Sequence, residues 1–217
     1  MTVDAKRQQG LIQIEYVGGF KRSLGQTAFQ GPFILGHLGQ RVKIYQDPAD
    51  GRFMEKIEGM KTAIRALVDK GFAIPPDTQV YCTSLYEAMN QAFHFDASFN
   101  SACNIVLGPG ACDPGRLASI SNSNHPGWTK VSITCIHEFG HALHARSCGG
   151  LQVFFDKDAG WSGKATNAAK VSGYAGNNKK EFVAEVFAGR MIGKKYSKSV
   201  MNEYAELNGP TNGNQFP

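Results

Sequence analysis

Apolar residues recur at Phe53, Ile57, Met60, Ile64 and Leu67, three or four positions apart, with Lys and Glu between them. That spacing is one face of an α-helix and predicts a helix over 53–70, closed by Gly71. Residues 11–17 (LIQIEYV) alternate apolar and polar and predict a strand. QVYCT at 79–83 and CNIVL at 103–107 read as further short strands, the second ended by Gly108-Pro109-Gly110. Ser84 and Glu87 have capping-box spacing and open a short helix through Phe93. The stretch 18–52 has no clear period, only turn signals at Gly18-Gly19 and Asp47-Pro48.

Beyond a loop rich in Gly, Ser and Asn that runs to Trp128, a helix covers 130–146 and stops at Gly149-Gly150. Between Leu151 and Asn178 the chain is rich in Gly, Lys, Asn and Ala, with Phe154-Phe155 and Trp161 as apolar anchors. A loop of that length inside a compact domain is often a functional lid. Helices over 179–193 and 196–207 precede a polar tail, 209–217. The pattern predicts one α+β domain spanning 1–217, with a small sheet in 1–128 and helices with their intervening loop in 129–208.

Composition narrows the classes. A hydrophobic fraction of 42% and a charged fraction of 19% over 217 residues exclude a disordered or fibrous chain. No apolar run reaches the ~18–20 residues of a membrane helix. The start, MTVDAKRQQG, has no secretory apolar core, so the expected location is the cytoplasm or export by a signal-independent secretion system. The net charge of +5 is scattered, as in Lys6-Arg7, Lys179-Lys180 and Lys194-Lys195, so no nucleic-acid partner is expected. Five cysteines without a CxxC pair argue against a zinc ribbon and a full disulfide framework. Reduced buried thiols are the default, with room for one bridge such as Cys103–Cys112.

Candidate chemistry lies in His137-Glu138-Phe139-Gly140-His141. On a helix the two histidines are one turn and roughly 40° apart, so both imidazoles reach one metal. Glu138 stands beside them, where it can take a proton from a water activated by that metal. Val131, Ile133, Ile136, Phe139 and Leu143 commit the helix to the interior, and Gly140 leaves room for a close neighbour. A catalytic zinc needs a third protein ligand and an open position. His144 is near in sequence but ~10 Å along the axis from His137, so it reads as an outer-sphere or substrate-side residue. The extended metzincin pattern fails, because it requires Gly and His where the chain has His144 and Ser147.

A second helix offers carboxylates. Glu181 and Glu185 lie on a helix that also carries Phe182, Val183, Val186 and Phe187 and is apolar nearly all round. Buried carboxylates are costly unless paired or bound to metal. Asn178 and Glu181 have capping-box spacing, so Glu181 could instead cap its own helix; capping leaves Glu185 unexplained. A metal accounts for both, with Glu181 as ligand and Glu185 orienting a metal-bound histidine.

The two blocks IHEFGHALH (136–144) and SGYAGNNKKEFVAEVF (172–187) resemble the anthrax lethal factor-type zinc peptidases, gluzincins whose catalytic domains recur in bacterial toxins and effectors. The Thr that family places before its Asn is Asn177 here. The resemblance implies a zincin-like fold binding one Zn2+ per chain through His137, His141 and Glu181. It also implies Glu138 as general base and Tyr174 as helper at the scissile carbonyl, with Glu185, His144 and Asn178 around them.

The expected reaction is endopeptidase hydrolysis of a peptide or protein substrate. Alternatives are another amide hydrolase, acting for example on a cell-wall peptide, or a non-catalytic structural zinc with His144 or Cys148 as the extra ligand. The 103–107 strand either offers a free edge to an extended peptide or is an internal core strand. No residue pattern identifies an immunity or inhibitor protein.

Overall fold

The computed structural model describes residues 3–9, 29–76, 78–84, 93–95, 103–112, 127–149, 154, 160–161 and 163–211. Its strands are β1 (Val3–Gln9), β2 (Gln30–His37), β3 (Gln40–Gln46), β4 (Gln79–Cys82), β5 (Phe93–Phe95) and β6 (Cys103–Leu107). They form one mixed sheet in the order β1-β2-β3-β4-β6-β5. The described helices are α1 (Phe53–Asp69), α2 (Lys130–Ser147), α3 (Lys179–Met191) and α4 (Lys198–Glu206). The architecture is mixed α and β, compatible with the α+β class.

The structure supplies what the aperiodic stretch 18–52 hid. β2 and β3 pair antiparallel across a tight turn at Leu38-Gly39, both at positive φ (46° and 83°). Such a turn matches the twist of a two-residue hairpin. In β3, Val42 and Ile44 are buried between the less buried Arg41, Lys43 and Tyr45, an alternation only five residues long, while β2 buries only Gly31 and Leu35 and does not alternate. β1 adds outside β2. The expected strand over 11–17 lies outside the described residues.

From β3 the chain crosses through α1 to β4, which is parallel to β3, with Lys43 opposite Gln79 and Gln46 opposite Cys82. β6 runs parallel to β4 on its other side, and β5 pairs antiparallel with β6. β6 is therefore internal, and it does not offer the free edge that its short apolar run left open. Phe93 begins β5 rather than ending a helix, and the rest of the expected 84–93 helix lies largely outside the described residues.

α1 follows its apolar face closely: Ile57, Met60, Ile64 and Leu67 are buried, and Gly71 at φ 82° closes it. Small residues set how near the helices approach. A Cβ on Gly59 would lie 2.4 Å from Val131 Cγ1, so α1 rests directly on α2. A Cβ on Gly140 would lie 3.0 Å from Phe187 Cδ1 and 3.3 Å from Ala184 Cα, so α3 is the close neighbour that Gly140 admits. One core joins Val42, Ile44, Val80 and Ile105 of the sheet to Met60, Ile136, Phe139, Phe182 and Phe187 of the helices.

The described part of the 151–178 loop carries two short 3₁₀ turns, Ala168–Lys170 and Tyr174–Gly176. Glu203 of α4 accepts from the backbone N–H groups of Thr166 and Asn167 at 2.6 and 2.8 Å, which fastens that part to the helical half. Cys82, Cys112, Cys135 and Cys148 are free thiols, so the Cys103–Cys112 bridge is not formed. No described helix is long and apolar enough to cross a membrane.

Candidate metal centre

α2 begins where Thr129 and Ser132 cap each other reciprocally, and Gly149 at φ 91° follows its end. Nearly every residue between is buried, including His137, Glu138 and His141. α3 begins at Asn178, whose Oδ1 accepts the Glu181 N–H at 3.0 Å. The cap and the ligand readings of Glu181 are thus divided between two groups. Asn178 caps the helix, and the Glu181 carboxylate turns toward α2.

There the Glu181 Oε2 sits 3.1 Å from His137 Nε2 and 3.2 Å from His141 Nε2. The edge between two ligands of a tetrahedral zinc at N and O bond lengths near 2.0–2.1 Å is about 3.3 Å. The Glu181 oxygen is therefore at about that spacing from each of the two imidazole nitrogens. His137, Glu138 and His141 also offer donor atoms within 4.8 Å of one another. Glu138 is the outlying member, with Oε1 4.0 Å from His137 Nε2. Glu181 therefore lies closer to both imidazoles than Glu138 lies to His137.

Glu185 is wholly buried, and its Oε1 lies 3.0 Å from His137 Nδ1. The separation is that of a hydrogen bond, while its angle falls short of one. The other oxygen, Oε2, accepts the Ser172 hydroxyl at 2.6 Å. Tyr174 is half-buried with its ring centroid 5.8 Å from that of His137.

Electrostatics follow from this crowding. Burial works against the charged form of His137, but Glu181, Glu185 and Glu138 outweigh it and hold the imidazole well above its ordinary value. Burial alone would raise Glu181; the His141 and His137 contacts overcome it and hold the carboxyl well below the usual range.

His144 is elsewhere. Its ring is fully buried, packs edge-to-face on Phe154 and Trp161 with centroids 5.2 Å away, and uses Nε2 to donate to the Leu207 carbonyl at 2.7 Å. It ties α2 to the end of α4 through a buried bond rather than joining the histidine–carboxylate cluster.

Among the expected residues, the structure brings together His137, Glu138, His141, Glu181 and Glu185, and sets Asn178 and Tyr174 at their margin. Ser172 was not anticipated. The only hint was a small polar residue two positions before Tyr174, and nothing local says that it reaches Glu185. Compared with protein-family models, curated proteins and solved structures, the chain matches none, so geometry alone carries the functional argument.

Proposed function

We propose that this chain is a zinc-dependent endopeptidase with a zincin-like catalytic domain. The observation that carries the reading is the Glu181 oxygen from α3, set at ligand spacing from both His137 and His141 of α2. The metal would be held by those three residues. When bound, it supplies Lewis acidity toward the substrate carbonyl and an acidified water as nucleophile. Glu138, next to His137 and outside the triad, takes the proton of the attacking water and delivers it to the leaving amine. The Tyr174 hydroxyl donates to the developing oxyanion, as a preorganised donor does. Glu185 holds His137 through Nδ1, so that Nε2 keeps its lone pair for the ligand position. A fourth protein ligand, as a structural zinc would need, is not offered by His144, which is committed to Leu207.

The test is zinc content per chain in the wild type and in Glu181→Ala, followed by turnover of a randomised peptide library by Glu138→Gln. Near one zinc in the wild type and clear loss in Glu181→Ala are expected. Glu138→Gln should keep its zinc and lose turnover by roughly 10²–10⁴-fold. A wild type that takes up no zinc overturns the reading, and full activity of Glu138→Gln removes Glu138 as the base.

A further inference from the structure

We infer that Ser172 is a positioning residue for this centre, one hydroxyl that sets both the orientation of His137, through Glu185, and the turn that carries Tyr174. The inference rests on the metal-centre reading above.

Ser172 is buried, and its Oγ has two partners. It accepts the Ala175 N–H at 3.0 Å and lies 2.6 Å from Glu185 Oε2. A hydroxyl has a single proton to give. The amide of Ala175 can only donate, so the Ser172 proton goes to the Glu185 carboxylate. The short separation is that of a charge-assisted bond. Rotation about the last bond of a Glu side chain is broad and shallow, so a carboxylate is not oriented by its own torsions. Glu185 is held at Oε2 by Ser172, which leaves Oε1 facing His137 Nδ1 at 3.0 Å.

Removing the Ser172 hydroxyl leaves one side of a fully buried carboxylate unmatched. Glu185 then swings off the His137 Nδ1 direction, and the imidazole loses the acceptor that fixes its tautomer. The same loss takes away the acceptor of the Ala175 N–H, one of the bonds that anchor the 3₁₀ turn Tyr174–Gly176. Two groups on opposite flanks of the cluster thus depend on one oxygen.

The experiment is a competitive zinc titration of the full chain as wild type, Ser172→Ala, Ser172→Thr, Glu185→Gln and the Ser172→Ala/Glu185→Gln double variant. It is paired with 15N–1H spectra of the His137 ring. Outer partners of metal ligands typically carry 10–100-fold in metal affinity, and Ser172 should fall at the lower end, about tenfold. Ser172→Thr keeps the hydroxyl and should restore affinity and the Nδ1–H signal. In the Glu185→Gln background, Ser172→Ala should add nothing, because it acts through that carboxylate.

Wild-type affinity in Ser172→Ala overturns the inference, and so does an equal loss in both backgrounds, which is what a merely structural role produces. Should Ser172→Ala not fold, Ser172→Thr decides: an unaltered Nδ1–H signal and wild-type affinity support the hydroxyl, and loss of both overturns it. If the wild type takes no zinc, the metal reading fails by itself. The Ser172–Glu185–His137 link is then decided in the metal-free protein, where the His137 ring signals must shift in Ser172→Ala.

Discussion

His144 offers a prediction whose size follows from its surroundings. Burial, helped by the neighbouring His141 and Lys180, outweighs the bond to the Leu207 carbonyl and pushes its imidazole down to about 3, against 6.5 when exposed. Unfolding therefore takes up a proton at any pH between those values. The sign is fixed by that uptake: where the unfolded chain binds more protons, stability rises with pH, so stability is lost as pH falls below about 6.5. At 1.36 kcal/mol per pH unit, the loss between pH 7 and pH 5 is about 2 kcal/mol from this residue alone. His137 acts in the opposite direction in the metal-free protein, so the measurement must be a difference. Urea melts of chelator-treated wild type and His144→Gln at pH 7, 6 and 5 provide it. Gln keeps an N–H donor for Leu207 and cannot titrate. The variant should gain about 2 kcal/mol relative to the wild type on going from pH 7 to pH 5, whatever its offset at pH 7. A constant difference across the three pH values would refute the assignment of His144 as a neutral core residue.

Two more outcomes follow from the same physics. Lys56 is fully buried, with Nζ 2.7 Å from Asp50 Oδ2 and 2.8 Å from the Thr83 carbonyl, so Asp50→Ala should cost roughly 3–5 kcal/mol in a denaturant melt. A loss below about 1 kcal/mol would mean that the pair is wet rather than buried. Because His137 is held well above its ordinary value in the metal-free protein, it carries a proton at pH 7 that zinc must displace. Calorimetry in buffers of different ionisation enthalpy should read about one proton released per zinc, with apparent affinity rising up to tenfold per pH unit from pH 6 to 7. The same elevation stabilises the metal-free fold fully below about 6.5, and that contribution is lost as pH rises through the raised value. Buffer-independent enthalpies would refute it.

Local signals determined the helices and the centre of the site. The 3.6-residue period of 53–70 and the glycines at 71 and 149 act within one or two turns, and each holds in the structure. HExxH places two imidazoles on one face by helix geometry alone. The cost of burying carboxylates singled out Glu181 and Glu185 before any contact was known. Gly140 announced a close neighbour, and α3 is that neighbour.

Tertiary structure decided everything that depends on elements distant along the chain. The β2–β3 hairpin was illegible because β2 does not alternate and the alternation of β3 spans only residues 41–45. Pairing on both sides makes β6 internal, and a short, mostly apolar run is the same at an edge or in the middle of a sheet. Lys56 reads as a surface residue of α1 until Asp50 and the Thr83 carbonyl fold over it. His144 shares a helix stripe with His141 and belongs to the core because Phe154, Trp161 and Leu207 arrive from outside that helix. Ser172 reaches Glu185 only once α3 and the preceding turn are packed. Periodicity and capping are short-range and can be read along a chain; the partner of a buried polar group is set by packing, which the chain fixes only as a whole.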